Sequence, residues 1–198
     1  SRSTYTLCGF GGYEGRALQA GDELKIGTDH EQEMPIGSAV PEEYHLEFAK
    51  HHEIRFVIGL CNYRLTEESR QRFFEIDWQV TPEINRIGYR FGGERLEFVD
   101  REPPFGAGSD PANVVDLGYP IGSIQLPAGK EPIALMNDAV TGGGYVTIGT
   151  IISSDLIKLA QVKTGDTVRF INTSIDEAMA ARSEINERLA AVTAALKQ

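Results

Sequence analysis

Residues 137–151 read NDAVTGGGYVTIGTI, with three consecutive glycines between an acidic segment and a run rich in β-branched residues. Glycine loses more conformational freedom on folding than any other residue, so three in a row predict a close approach to the backbone. A Walker A loop is excluded because no Lys-Ser or Lys-Thr follows, and a GxGxxG helix start because β-branched residues follow Tyr145. What remains is a glycine-rich turn whose backbone N–H groups can hold a carboxylate, carbonyl or ureido oxygen.

Polar side chains stand beside this turn at Asp138 and Thr141. They can add hydrogen bonds to whatever the backbone holds. The alternative is a tight hairpin or a bulge, in which the glycines supply positive φ angles and bind nothing. The residues alone leave both interpretations open.

Two arginines, Arg86 and Arg90, lie within the segment NRIGYR. Their spacing along a predicted strand points both to one face, where paired guanidinium groups suit bidentate capture of a carboxylate. Ion pairs with the many acidic residues of the chain are the alternative. Gln161 and Lys163 lie where a short helix is expected to run into a Gly-Asp turn, and a solvated surface position is the ordinary one for such a lysine.

Histidine and cysteine give no clear site. His51 and His52 are adjacent, and the other two histidines have no metal-like spacing to them, so we predict exposed surface histidines and no zinc site. Cys8 and Cys61 form no CxxC pattern and are interpreted as structural cysteines, with Cys61 buried. A reduced cytoplasmic protein is the plain expectation.

The elements that position these residues are mostly short apolar segments separated by Gly, Pro, Asn and Asp, which is typical of a β-sandwich or barrel. Little room remains for crossover helices, so the pairing is predicted to be antiparallel. The predicted strands are residues 54–60, 75–80, 95–99, 123–126, 132–136, 145–152 and 167–171.

Three helices are predicted. The last begins with Ser174 and Glu177, which form an S-x-x-E capping box before an apolar stripe that packs on a sheet or on a partner chain. A short helix should span residues 155–161 with Ser153 or Ser154 as its cap, and another residues 67–74 after Thr66.

The composition is that of an ordinary globular protein of 198 residues, with 41% hydrophobic and 24% charged residues. A net charge of -10 argues against nucleic-acid binding, and no apolar stretch is long enough to span a membrane. Residues 21–26 and 165–170 both place a Gly-Asp turn before an alternating strand, as a duplicated barrel unit would.

Taken together, these segments resemble the allophanate hydrolase subunit 2 family, which includes the C subunit of 5-oxoprolinase and the carboxyltransferase part of urea carboxylase. Nearly the whole chain is covered. The motifs that carry the resemblance are SRSTYT (1–6), GGYEGRAL (11–18) with Gly21-Asp22, NRIGYR (85–90), GSIQLP (122–127), Asp138, Thr141, GGY (143–145) and LAQ (159–161) with Gly165-Asp166.

The resemblance implies a mainly β fold, a cyclophilin-like β-barrel with a C-terminal helix. Such chains usually carry two lobes, so residues 1–48 are expected to be the remnant of a first barrel lobe and residues 49–198 the barrel domain. The resemblance also implies partners: a subunit 1 type protein and the missing N-terminal half of the fold.

Site residues follow from the same resemblance. It implies a catalytic turn of Asp138, Thr141, Gly143, Gly144 and Tyr145, in which a flat amide or ureido group lies against the backbone. It further implies substrate binding by Arg86, Arg90, Asn113 and Gln125, and cofactor binding or a pocket wall at Gln161 and Lys163.

The implied function is amide or lactam metabolism on a small urea-like or 5-oxoproline-like substrate. ATP-dependent hydrolysis with a subunit 1 partner is one form. Carboxyl transfer from biotin supplied in trans is a second, since the chain has no Met-Lys-Met motif, and a non-catalytic regulatory subunit is a third. The segment DPANVVD (110–116) resembles the urea-carboxylase branch, while IQLP and ALMND resemble the oxoprolinase branch. Val140 and Val146 depart from the oxoprolinase pattern, which leaves the substrate open.

Overall fold

A computed structural model describes residues 4–6, 8–25, 37–102 and 104–196. The chain divides into two compact units, Ser1–Ser38 and Ala39–Gln198. The first three residues of the SRSTYT segment, and the end of the strand expected after the first Gly-Asp turn, lie outside the described residues.

The larger unit contains nine strands and three α-helices within the described ranges. Short 3-10 turns at Glu42–Tyr44, Leu60–Arg64 and Pro127–Gly129 join some of them. The strands are β1 His51–Ile58, β2 Trp78–Ile84, β3 Gly88–Gly92, β4 Asn113–Gly118, β5 Ser123–Gln125, β6 Ile133–Leu135, β7 Gly142–Tyr145, β8 Thr147–Ile151 and β9 Thr167–Asn172, and the helices are α1 Glu67–Glu75, α2 Ser153–Leu159 and α3 Ile175–Leu196.

Seven strands close into a barrel in the order β1-β8-β5-β6-β3-β2-β9, while β4 and β7 form a separate two-stranded ribbon. The predicted mainly β barrel with a C-terminal helix is therefore confirmed. Pairing is antiparallel as expected, except between β1 and β9, which run parallel. These two strands are far apart in sequence, so the long connection that a parallel pair requires is available.

The barrel is filled by aromatic side chains. Phe170 is fully buried and its ring contacts those of Phe56, Phe73 and Phe91, with centroids 5.1–6.0 Å apart. Trp78 is also buried, and its indole N–H donates to the Phe73 carbonyl at 3.0 Å. These contacts join α1 to the strands that it covers.

Three strand predictions were wrong in their extent. Residues 95–99 form no strand, because their backbone hydrogen bonds go to turns and a helix cap: Leu96 N–H donates to the Gly129 carbonyl and Val99 N–H to that of Arg64. The segment predicted over 75–80 begins as the end of α1, and β2 starts at Trp78. The strand predicted over 145–152 is divided at Val146, whose N–H donates to Ala112 outside the ribbon.

The helix caps were predicted correctly at two of three positions. Thr66 Oγ1 accepts the Ser69 N–H at the start of α1, and Ser174 and Glu177 exchange the hydrogen bonds of a capping box at the start of α3. In α2 neither serine caps, because Ile152 occupies the N-cap position. Helix α3 packs on α2 and β1, and Arg188 donates to the Tyr44 carbonyl at 2.7 Å.

The two Gly-Asp turns have matching geometry. Gly21 and Gly165 have φ angles of 93° and 90°. In each turn the aspartate carboxylate accepts the N–H three residues earlier, at 2.7 Å for Asp22 and 2.9 Å for Asp166. Positive φ at the third turn position favours glycine, and the Asp side chain closes the turn. The sequence similarity therefore reflects the same local structure.

An ion pair joins β1 to α2. Asp155 is fully buried and accepts the Arg55 N–H at 2.8 Å, Nε at 3.0 Å and Nη2 at 2.7 Å. Burial by itself raises the pKa of the Asp155 carboxyl, but the hydrogen bonds from Arg55 outweigh it and the net pKa is lowered. The pair fixes the position of α2 against the barrel.

We expect Asp155→Asn to lower the free energy of unfolding by about 2 kcal/mol or more, since removing one member of a buried pair leaves the other charge uncompensated. A carboxyl whose pKa is lowered in the folded state stabilises the protein above its unfolded pKa, and this stabilisation is lost as the pH falls through the folded pKa. Urea unfolding between pH 7 and pH 3 should therefore show a shallower acid loss in the variant. An equal slope would contradict this role.

None of the helices formed by the described residues is long and apolar enough to cross a bilayer.

The burial predicted for Cys61, and the exposure predicted for the histidines, are only partly correct. Cys8 is exposed and Cys61 is only partly buried. His45 and His51 are exposed as predicted, but the His52 side chain is 90% buried, with Nε2 3.7 Å from Asp166 Oδ2. His52 lies on β1, whose parallel partner begins directly after Asp166, and this pairing covers its ring.

Candidate functional site

Two loops from different parts of the chain are joined to each other beside the barrel. The first, residues 85–87, connects β2 to β3, and the second, residues 136–141, connects β6 to β7. Backbone hydrogen bonds of 2.9 Å join them, from Met136 N–H to the Ile87 carbonyl and from Asp138 N–H to the Arg86 carbonyl. The pairing of β3 with β6 fixes both loops at the same end of the sheet.

A bidentate ion pair links the two loops. Arg86 donates from Nε to Asp138 Oδ2 at 2.7 Å and from Nη2 to Oδ1 at 2.9 Å. The hydrogen bonds from Arg86, followed by its charge, lower the pKa of the Asp138 carboxyl below its usual range. Two residues from separate predicted groups therefore meet, and Arg86 Nη1 remains outside the fork.

The loops and α2 line an open cavity of about 500 Å³. Tyr89 forms part of its wall, and burial raises the pKa of that phenol. Asn85 is oriented by its Oδ1, which accepts the N–H groups of Ile87 at 2.8 Å and Gly88 at 3.2 Å. The lining residues are Asn85, Arg86, Tyr89, Met136, Asn137, Leu156, Ile157 and Ala160, an apolar wall with three polar side chains.

The three glycines lie in β7 and correct the sequence interpretation of the turn. None of them has a positive φ, so they do not form the tight turn that the alternative required. They are extended and exposed or partly exposed, and the ribbon has its irregularity between Asn113 and Leu117 of β4. The close approach comes instead from the chain itself, because a Cβ on Gly143 would lie 2.9 Å from the Tyr119 ring.

Tyr119 connects the ribbon to the barrel. Its buried hydroxyl accepts the Tyr145 N–H at 2.7 Å and donates to the Tyr145 carbonyl at 2.9 Å, while its N–H donates to the Thr141 carbonyl at 2.8 Å. Burial raises the pKa of the Tyr119 phenol, against hydrogen bonds from Tyr145 and the Gln125 side chain that lower it. The Tyr145 N–H is therefore already occupied and is not free to stabilise an oxyanion.

A matched pair of glycine variants tests this packing. We expect Gly143→Ala to lower the free energy of unfolding by about 1–2 kcal/mol, since the added methyl group must displace the Tyr119 ring. Gly142→Ala is the control, because the nearest atom to its Cβ is 3.4 Å away. Thermal unfolding and the near-ultraviolet signal of tyrosine measure both variants. Equal stability of the two would contradict the assigned contact.

The other predicted site residues lie elsewhere. Arg90 does not join Arg86 on one face, because Arg86 precedes β3 and Arg90 pairs with Glu83 at 2.7 Å and Glu131 at 2.8 Å. Both arginines form ion pairs with acidic residues, which was the alternative interpretation of the sequence. Asn113 Nδ2 donates to the Ala107 carbonyl at 3.0 Å.

Gln125 is buried beside Tyr119, and its side chain, like that of Asn113, is held by internal contacts. Gln161 does not reach the cavity beside Asp138. It lines a different one of about 850 Å³, with His51 and Arg188 among its walls. Lys163 contributes its backbone N–H to the Asp166 turn. Neither residue is placed beside the Arg86–Asp138 pair.

Sequence reasoning missed Asn85, Tyr89, Asn137 and Tyr119. The first three are next to predicted site residues within the NRIGYR and ALMND segments, so the sequence could have indicated them. Tyr119 carried none, since its role depends on the fold of the ribbon. Within the described ranges, no group of three or more His, Cys, Asp or Glu side chains is arranged to hold a metal ion.

The sequence profile described as "Carboxyltransferase domain, subdomain A and B" matches residues 1–172. The chain belongs to this family. It is 34% identical over 185 residues to the C subunit of 5-oxoprolinase from Escherichia coli, a match that covers 93% of this chain and 54% of that protein. It is 32% identical over 186 residues to a putative urea carboxylase of Emericella nidulans, covering 93% of this chain and 15% of that protein.

The fold also matches a solved structure. The urea amidolyase of Kluyveromyces lactis superposes with a TM-score of 0.80 at 28% identity, covering 97% of this chain and 12% of that one. The chain spans about half the length of the 5-oxoprolinase C subunits that it matches. The family resemblance predicted from the motifs is confirmed. The relatives named above are enzymes or enzyme subunits.

Proposed function

We propose that this carboxyltransferase-family chain binds a small planar amide, urea-like or 5-oxoproline-like, in the cavity beside Asp138, as part of an amide- or lactam-metabolising enzyme. The observation that carries the proposal is the Arg86–Asp138 pair beside a cavity of about 500 Å³ that Arg86 itself lines. A cavity with an apolar wall and a few oriented polar groups is the usual form of a small-molecule site.

The polar groups match the two sides of an amide. Asp138 is ionised at neutral pH, and Arg86 lowers the pKa of its carboxyl further, so the carboxylate can accept a hydrogen bond from the substrate N–H. Arg86 Nη1 and the amide groups of Asn85 and Asn137 donate to the carbonyl or to a substrate carboxylate. Tyr89 and Met136 supply flat apolar surface for the ring.

This part of the chain binds and orients rather than attacks. The lining of the cavity contains no histidine, cysteine or lysine to act as a nucleophile or general base. In the hydrolytic form of the proposal, a subunit 1 type partner uses ATP to activate the substrate that this chain holds. The cytoplasm, where ATP is abundant and the free cysteines stay reduced, is the proposed location.

Carboxyl transfer is the second candidate, and the family description favours it. Biotin presents a flat ureido ring, and the residues present fit it: Asn85, Arg86 and Asn137 offer hydrogen bonds and Tyr89 and Leu156 an apolar wall. Biotin supplies the carboxyl group when bound. Residues 1–198 contain no Met-Lys-Met motif, so this form of the proposal places the biotin outside them.

We further propose that residues 1–48 are the remnant of a first barrel lobe and that residues 49–198 form the second. The matched turns at Gly21-Asp22 and Gly165-Asp166 support this, since the second one leads directly into barrel strand β9. The segment that completes the first lobe is then a required partner.

The experiment is purification of the complex from the native host, followed by assays with 5-oxoproline plus ATP and with urea plus ATP and bicarbonate, each with and without avidin. Turnover of 5-oxoproline that avidin does not inhibit supports hydrolysis, and avidin-sensitive carboxylation of urea supports the second candidate. A tightly bound partner with no turnover of either substrate would overturn both and leave a regulatory subunit.

A further inference from the structure

Two arginines meet at the start of β4 without a carboxylate partner in the described part of the chain. Arg64, at the end of the 3-10 turn Leu60–Arg64, is only 3% exposed, and its Nη2 donates to the carbonyls of Pro111 and, at 3.2 Å, Asn113. Arg101 Nη2 donates to the same Asn113 carbonyl at 3.1 Å. Two positive groups therefore share one neutral acceptor.

Three other arginines of the barrel unit are paired with carboxylates. Arg55 pairs with Asp155, Arg86 with Asp138, and Arg90 with two glutamates. Arg64 is more buried than any of these, yet backbone carbonyls rather than a carboxylate accept the hydrogen bonds of its Nη2. A buried charge is ordinarily paired, because carbonyl dipoles replace only part of the hydration that it loses.

The surroundings of Arg64 are electropositive. Burial lowers the pKa of its guanidinium, and the charge of Arg101 lowers it further. The groups that oppose this are Tyr63 and Cys61, which are not carboxylates. In addition, Arg101 Nε is buried and has no hydrogen-bond partner among the residues that the structure describes. One N–H group and two positive charges thus remain to be satisfied in the same place.

We propose that Arg64 and Arg101 form a subsite for a small oxyanion, a carboxylate or a phosphate, next to Asn113. Guanidinium groups donate through a planar fork that matches the oxygens of either anion. An oxygen accepting from Arg101 would offset the repulsion between the two charges, and it would satisfy Nε once the side chain turns that buried donor toward it. Arg101 is only partly buried, so the anion approaches from its side rather than through Arg64.

The subsite is distinct from the amide cavity. None of its residues lines that cavity, and Asn113 connects it instead to the ribbon through its pairing with Tyr145. The proposal does not depend on which amide the enzyme uses. The proposed subsite binds an oxyanion, either as part of a larger ligand or free in solution, at the start of β4.

The test is anion titration of the full chain in a phosphate-free and carboxylate-free buffer, with thermal unfolding and calorimetry as readouts. Phosphate, acetate and bicarbonate are the probes, and they distinguish the two sources of the oxyanion. We expect one of them to raise Tm by several degrees at millimolar concentration and to saturate. Saturation separates binding from the general stabilisation by excluded salts, which continues to rise with concentration.

Arg101→Gln should abolish the saturable shift, and Arg101→Lys should retain part of it. Arg95→Gln, which removes an exposed arginine 3.8 Å from Glu97, is the matched control and should behave as the unmodified chain does. If Arg101→Gln does not fold, the titration of the unmodified chain decides alone. No saturable response to any probe, or an equal response in Arg101→Gln, would overturn the proposal. Arg64 and Arg101 would then only hold the backbone of residues 111–113 in place through hydrogen bonds to its carbonyls.

Discussion

Replacing Asp138 with asparagine is expected to reduce kcat/KM for the amide substrate about 100-fold, the range found when one preorganised charged group is removed from an active site. The variant keeps the shape of the side chain but loses the charge that we propose accepts the substrate N–H. It also leaves Arg86 without its bidentate acceptor, so the two loops lose the contact that holds them in register. Steady-state kinetics of the complex measures the effect.

The matched control is Glu131→Gln. Glu131 also pairs with an arginine of the same segment, Arg90, at 2.8 Å, but neither member of that pair lines the cavity, whereas Arg86, the partner of Asp138, does. We expect its kcat/KM to stay within about twofold of the unmodified protein, since exposed ion pairs contribute little. Equal losses in the two variants would show that any disturbed ion pair in this region lowers activity. That result would contradict the proposed binding of the substrate by Asp138.

The pH dependence of the same group has a defined sign. Arg86 lowers the pKa of the Asp138 carboxyl below the ordinary value near 4, so the acceptor stays ionised at neutral and mildly acidic pH. Substrate affinity that depends on Asp138 should therefore be unchanged from pH 7 to about pH 5 and fall only below the ordinary carboxylate range. Arg86→Gln should move that fall to higher pH, as a direct binding titration would show.

Phe170→Ala is expected to have the largest effect on stability. Its ring is fully buried and contacts three other phenylalanines from β1, α1 and β3, so truncation opens a cavity that closed barrel walls cannot fill. A loss of about 3–5 kcal/mol in the free energy of unfolding is the usual range for such a change. For a domain of this size the Tm should fall by roughly 10 °C.

Controls for Phe170 separate cavity formation from the loss of any aromatic ring. Phe170→Leu fills more of the space and should cost less than half as much. Phe105→Ala removes a fully exposed ring and should leave Tm within about 1 °C, because no packing is lost. Differential scanning calorimetry compares all three. A similar loss at Phe105 and Phe170 would contradict the assigned core.

Local sequence patterns determined much of this protein. The capping box at Ser174, the Thr66 cap and the Gly-Asp turns are formed by residues within three or four positions of each other, so nearest neighbours suffice to specify them. Linked motifs in the right order identified the family. The mainly β class followed from the short apolar segments separated by turn residues.

Only the tertiary structure decided which residues come together at the proposed site and what the glycines contact. Arg86 and Asp138 are 52 positions apart, and pairing between β3 and β6 brings their side chains together. The contact between Gly143 and the Tyr119 ring also joins distant positions, so the sequence could not predict it. The glycine run was interpreted as a turn that binds a ligand, but Gly143 instead leaves room for the ring of Tyr119. Such contacts join residues far apart in sequence, and a local pattern carries no information about which distant segment will be packed against it.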